Sequence, residues 1–204
     1  AFVVETNNPG FKIISKLKKM GFRGSQTNEL FFEDFRVPAI NMIGKEGEGH
    51  VTVMNGLDFE RAMIAPISLG ISERALEISI EYAKIREQFG KPISSFQMIQ
   101  SKLADMYTWV QSVRALVYMV LSECDAIDKK EGGRGQIHMN TAASVMHAAS
   151  TCNKVLDETV QIHGGMGYMW ESEANRLYRS SKMLEIGAGT TEVRKMVISK
   201  GLLH

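Results

Sequence analysis

The chain has 204 residues, 44% of them apolar, which is enough for one sizeable core and part of another. With 24 Lys and Arg against 23 Asp and Glu, the net charge of +1 gives no case for a nucleic-acid binder or a steering field of one sign. No stretch approaches the roughly 20 uninterrupted apolar residues of a membrane span. Cys124 and Cys152, 28 residues apart and without metal-ligand spacing, read as ordinary buried thiols of a reducing compartment.

The sequence opens abruptly as a strand, Ala1-Phe2-Val3-Val4-Glu5, with neither initiator Met nor leader. It reads as a fragment whose N-terminal portion, and with it any targeting peptide, is missing. Up to about residue 47, short apolar runs (Phe2–Val4, Phe11–Ile14, Leu30–Phe35) alternate with Asn7-Asn8-Pro9-Gly10 and Arg23-Gly24-Ser25, the pattern of strands and turns. From about residue 48 the pattern is helical. Helices are expected over 49–87, 95–129, 136–163, 171–185 and 190–201, with a loop at Lys130-Glu131-Gly132-Gly133-Arg134-Gly135. Three long helices on short connections predict a bundle of antiparallel neighbours. Ala142, Ala143, Ala148 and Ala149 allow close helix–helix approach in the third. Pro66, unable to donate to the Ala62 carbonyl, should kink the first helix or open it locally.

Several positions admit a chemical and a plain reading. Glu60 has Gly56, Leu57, Met63 and Ile64 as its i±3 and i±4 neighbours, so it is either a solvated carboxylate at a helix edge or a buried base with a raised pKa. Arg61 can pair with Asp58 one turn back, or bind an anion. Gln161-Ile162-His163-Gly164-Gly165-Met166-Gly167-Tyr168 is a helix C-cap or a place of close backbone approach. Ile186-Gly187-Ala188-Gly189-Thr190-Thr191-Glu192-Val193 is an N-cap, or a loop whose free N–H groups hold an anion or a polarised oxygen. Arg86 and Phe89, three apart with Phe96 and Gln97 following, are surface residues or a phosphate-and-ring clamp. Lys16, Lys18, Lys19 and Arg23 read as a solvated strand face. His50, His138, His147, His163 and His204 show no metal-ligand spacing. The 13 methionines suit helix-core filling.

Taken in order, Glu-Arg in a long helix, REQFGKPISSFQ, QIHGGMGY and EIGAGTTEVRK resemble the C-terminal half of the acyl-CoA dehydrogenase family, and the strand region RGSQTNELFFEDFRVP fits the same pattern. The resemblance covers essentially the whole chain. It implies a mainly α fold: residues 1–47 as the remainder of a middle β-domain, and 48–204 as an antiparallel helical bundle. Most relatives carry the base in a loop Tyr-Glu-Gly-Thr, whereas this chain reads Gly187-Ala188-Gly189-Thr190. The isovaleryl-CoA branch has Gly-Ala there and its base on the long helix in Leu-Asp-Leu-Glu-Arg, matched by Leu57-Asp58-Phe59-Glu60-Arg61 with Phe59 a departure. Gly187 and Ala188 also leave room for a branched acyl group.

The resemblance implies FAD-dependent dehydrogenation of a short branched acyl-CoA in leucine catabolism, with Glu60 removing the α-proton. The β-hydrogen leaves as hydride, and the Ala188 N–H with a flavin ribityl hydroxyl holds the thioester oxygen. It implies FAD contacts at Arg86, Phe89, Gln97, Gln161, Ile162, His163, Gly164, Gly165, Thr190, Thr191 and Glu192. Ser15, Asp58, Phe59, Arg61, Gly187, Ala188 and Gly189 are implied on the acyl-CoA side. Electron-transfer flavoprotein as acceptor, a homotetramer, and the mitochondrial matrix (or bacterial cytoplasm) complete the expectation. The chain alone is expected to be inactive and to hold FAD poorly. The rivals are an acyl-CoA dehydrogenase for 2-methyl-branched or longer chains, and a catalytically silent helical module.

Overall fold

The computed structural model describes residues 1–126 and 135–203. The end expected for the second helix, the loop from Lys130 to Arg134, and His204 lie outside the described residues. The chain divides into two compact units, Ala1–Leu57 and the remainder from Asp58.

In the first unit, β1 (Phe11–Lys16) and β2 (Asn28–Phe32) form an antiparallel pair with a bulge between Ile13 and Ser15. Phe11 and Phe32 face each other across it with ring centroids 5.4 Å apart, and Phe35 meets Phe32 edge-on at 5.3 Å. Phe2–Val4 does not make the expected strand; only Phe2 bridges to Met42. A two-stranded pair has no second layer, so Ile13, Ile14, Leu30 and Phe31 stay about half exposed.

The second unit is helical. The unit boundary falls within α1 (Gly49–Ile85), which is followed by a two-residue hairpin of β3 (Glu87–Gln88) and β4 (Lys91–Pro92). Next come α2 (Gln97–Ala126), α3 (Gln136–His163), the single turn α4 (Gly165–Tyr168), α5 (Glu173–Ser181) and α6 (Thr191–Leu203). The fully buried positions of α2 are Met106, Val110, Val113, Val117 and Val120, spaced four and three by turns. Thr141, Val145, Ala148, Cys152, Val155, Thr159 and Ile162 repeat that spacing on α3. These stripes are buried faces of two helices that pack on each other. Lys102 pairs with Glu158, Ser112 with His147 and Asn140 with Glu123, so residue numbers fall in one helix as they rise in the other: α2 and α3 are antiparallel. Against α1 the order rises together, His138 to Asp58, Thr159 to the Ala75 carbonyl and His163 to Tyr82, so those two run parallel.

Small residues on α1 permit that closeness. Ser68, Ser72 and Ser79 are buried and return their hydroxyls to the carbonyls four residues back, leaving no orphan donor. Pro66 lies inside α1 and does not end it. The helix expected over 171–185 is shorter. It begins at Glu173 and tightens into a 3₁₀ turn over Lys182–Glu185. Ser95, expected to open the second helix, instead ends a 3₁₀ turn, Ile93–Ser95. Cys152 is buried, and burial pushes its thiol up to about 11.

Candidate active site

Two groups of the expected site residues come together in the helical unit. The first joins α1 to the loop before α6. Asp58 and Arg61 stand one turn apart on α1 and are buried, with side chains 7% and 4% exposed. The pairing of Arg61 with Asp58 forms: Nη1 donates to Asp58 Oδ1 at 3.2 Å, while Nε donates to the Ala188 carbonyl at 3.1 Å. Ala188 has φ +54°, a left-handed conformation that an L-residue holds only when its surroundings impose it. A second arginine takes part. Arg194, on the first turn of α6, is fully buried and donates through Nη2 to the carbonyls of Leu184 (2.9 Å) and Gly187 (2.5 Å). Burial, and after it the charge of Arg61, pushes the Arg194 guanidinium below its usual range. Its Nε and Nη1 find no partner among the described residues.

Two consecutive loop carbonyls are thus held by arginines from two different helices. The N–H of Ala188 has no acceptor among the described residues. The N–H groups that open α6 lie just beyond it. Thr190 Oγ1 accepts from the Val193 N–H at the long distance of 3.5 Å. The Glu192 carboxyl is held below its usual range by its own backbone N–H and then by the Thr190 hydroxyl.

Glu60 is exposed, not buried among the chain's own apolar residues, and has no hydrogen-bond or ion-pair partner among the described residues. Phe59 beside it is exposed as well. Ser15, in the first unit, donates its hydroxyl to Glu29 at 3.0 Å.

The second group surrounds a cavity of about 540 Å³. Arg86, Ile162, His163, Gly164 and Gly165 line it, with Tyr82 and Gln88, which the motif reading missed. Tyr82 lies four residues before Arg86, on the same helix face, and stacks on the His163 ring with centroids 4.4 Å apart. Gly164, at φ +56°, ends α3, and a side chain at Gly164 or Gly165 would stand in open space. Gly167 is there for packing. A Cβ on it would lie 2.6 Å from the Val160 carbonyl oxygen, so α4 can fold back on α3 only with glycine. The Arg86 guanidinium has no partner among the described residues. A free guanidinium, a flat aromatic wall and open backbone suit an anionic dinucleotide cofactor. Phe89, Gln97 and Gln161 are exposed and do not line this cavity. Phe89 sits at the hairpin tip with φ +54° and meets Phe96 edge-on at 6.0 Å. Thr190, Thr191 and Glu192 belong to the first group.

Among the described residues no set of three His, Cys, Asp or Glu could hold a metal ion, and no helix is long and apolar enough to cross a membrane.

Residues 47–203 match the family described as "Acyl-CoA dehydrogenase, C-terminal domain". The chain is 43% identical to isovaleryl-CoA dehydrogenase, mitochondrial, of Oryza sativa subsp. japonica, covering 99% of this chain and 48% of that protein. It is 44% identical to 2-methylacyl-CoA dehydrogenase, mitochondrial, of Solanum tuberosum, over 99% and 47%. The solved structure of butyryl-CoA dehydrogenase from Megasphaera elsdenii superposes with TM-score 0.90 at 41% identity, over 100% of this chain and 51% of that one. The chain therefore spans about half the length of the relatives it matches. By its motifs, its helical architecture and this likeness, it belongs to the acyl-CoA dehydrogenase family.

Proposed function

We propose that the protein to which this chain belongs dehydrogenates a short branched-chain acyl-CoA of the isovaleryl type at its α,β-bond, in leucine catabolism, with Glu60 as the α-proton base. The observation that carries this reading is the loop beside α1. The carbonyl of Ala188 is fixed by Arg61; among the described residues its N–H has no acceptor and Glu60, next to Arg61, has no side-chain partner. A thioester oxygen on that N–H would have its developing negative charge stabilised where enolate character grows. Glu60, with no cation to hold its charge, is free to take a proton. In this reading residues 1–47 are the back of a middle β-domain and residues 48–204 the helical-bundle domain.

FAD would be held at the cavity by Arg86, Ile162, His163, Gly164 and Gly165, with further contacts from Phe89, Gln97, Gln161, Thr190, Thr191 and Glu192. Its part in the chemistry is to accept the β-hydrogen as hydride. Gly187, Ala188 and Gly189 leave space for a branched acyl group, with Phe59 beside the base and Ser15 a more distant candidate contact. A homotetramer, transfer of electrons to an electron-transfer flavoprotein, and residence in the mitochondrial matrix (the cytoplasm in a bacterium) complete the proposal.

The test is turnover of isovaleryl-CoA with an artificial electron acceptor by the full-length flavoprotein and its Glu60→Gln variant. The expected loss is about a thousandfold, on the order of 4 kcal/mol of barrier. A variant that keeps most of the activity places the base elsewhere. The 44% identity to 2-methylacyl-CoA dehydrogenase of Solanum tuberosum supports a second reading, with branching at C2. Preference for a 2-methyl acyl-CoA over isovaleryl-CoA in the same assay would select it.

A further inference from the structure

We propose that His138 is a positioning residue for the reaction: through Asp58 it fixes Arg61, and through Arg61 the Ala188 backbone. The inference rests on the reading of Ala188 given above.

The chain of contacts is continuous. His138, the third residue of α3, lies 2.5 Å by its Nδ1 from Asp58 Oδ1. That same oxygen accepts from Arg61 Nη1 at 3.2 Å, and Arg61 Nε reaches the Ala188 carbonyl at 3.1 Å. An ionised carboxylate only accepts, so Nδ1 carries the hydrogen and His138 is the donor. The Asp58 oxygen is therefore held from two sides, by His138 on α3 and by Arg61 on its own helix. Arg61 then has one buried anion to align it. Its Nε is aimed at Ala188 only while Asp58 keeps its place.

Why the loop needs this is clear from its backbone. Ala188 at φ +54° and Gly189 at φ +99° form a turn that alanine does not adopt unaided. The Arg194 grip on Leu184 and Gly187 anchors the near side of the turn, and among the described residues Arg61 alone hydrogen-bonds Ala188 itself. Asp58 and Arg61, which the motif reading placed on the acyl-CoA side, are both buried and already engaged. They act on the thioester through the loop, not by touching the substrate. His138 is the one member of the set within reach of solvent, with a third of its side chain exposed.

The test compares His138→Leu and His138→Asn with wild type in the full-length flavoprotein. Asn can place a donor near the position of Nδ1 and Leu cannot. Two readouts are used: kcat and KM for isovaleryl-CoA, and amide hydrogen exchange of Ile186 and Gly187, whose N–H groups both donate to the Met183 carbonyl. His138→Leu is expected to lower kcat about tenfold with KM within about twofold, and to speed exchange at those amides about tenfold; His138→Asn is expected to restore both. Unchanged exchange in His138→Leu, a change spread evenly over α1 and α3, or failure of Asn to rescue would overturn the proposal. If wild type turns over no acyl-CoA at all, the reading of Ala188 as oxyanion donor fails, and the exchange comparison alone decides the relay.

Discussion

Removing Arg61 should cost far more stability alone than together with its partner. The Arg61→Met change leaves the buried Asp58 carboxylate, 7% exposed, with the His138 N–H as its one side-chain donor among the described residues. Breaking a buried pair in this way costs about 3–5 kcal/mol, because an uncompensated charge stays behind. The Ala188 carbonyl loses its donor as well, adding about 1 kcal/mol. We expect about 5 kcal/mol for Arg61→Met and about 3 kcal/mol for Asp58→Leu, which strands the guanidinium instead. The double variant removes both charges and should cost only about 2–3 kcal/mol, so the two sites couple by several kcal/mol. Urea unfolding of the chain, followed by far-ultraviolet circular dichroism, gives these differences provided the slope with urea stays constant. If the single costs add to the double cost within about 0.5 kcal/mol, the two residues do not act as a buried pair and the account of the loop clamp falls with them.

Two further outcomes follow from the helical core. The Cys152 thiol, pushed by burial from 9.0 to about 11, keeps its proton in the folded chain at a pH where the unfolded chain gives it up. The stability this contributes is whole below pH 9 and is lost as pH rises through about 11. Over that span it amounts to about 2–3 kcal/mol. Urea midpoints of wild type and Cys152→Ala measured from pH 8 to 11 should therefore converge as pH rises; parallel curves would contradict the assignment. Gly167→Ala would place a Cβ 2.6 Å from the Val160 oxygen and 2.9 Å from the His163 Cβ, neither of which is the end of a flexible side chain. It should cost about 2 kcal/mol and lower the melting temperature by about 5 °C, and an unchanged melting temperature would mean that α4 does not pack on α3 as described.

How much of this was legible in the sequence depends on the range of the interaction involved. The limits of α3 read correctly at 136 and 163 because Gly135 and Gly164, at φ +95° and +56°, punctuate it on both sides. The α2 and α3 stripes are also local, a four-and-three spacing of apolar residues that any reading of period would find. The hairpin at Glu87–Pro92 and the turn α4 escaped because two-residue strands and a four-residue turn are too short to show a period. Arg61 with Asp58 was visible one helical turn apart. His138, 80 residues further on, was not, since nothing near it in sequence marks it as different from the other histidines. Arg194 was hidden for the opposite reason: Glu192-Val193-Arg194-Lys195 reads as a solvated helix start, and only the turn before it, folding two carbonyls inward, makes the arginine a core residue.

That pair of arginines also bears on the missing loop carboxylate. Where the resemblance sets a Tyr and a Glu in most relatives, this chain has Gly187 and Ala188, which have no side chains able to fasten the loop. Its shape must then be imposed through the backbone, and carbonyl oxygens are the only acceptors the turn offers. Guanidinium groups suit this task because a single buried fork can donate to more than one oxygen at once, as Arg194 Nη2 does to Leu184 and Gly187. The cost is a second buried cation near the first: burial, and after it the charge of Arg61, lowers the affinity of Arg194 for its proton. Asp58 answers that cost only on the Arg61 side. If the base stands on α1 as proposed, its move from loop to helix is not a one-residue exchange. The loop would then have to be held by other means, and Arg61 and Asp58 on α1, with His138 on α3, are placed to supply them.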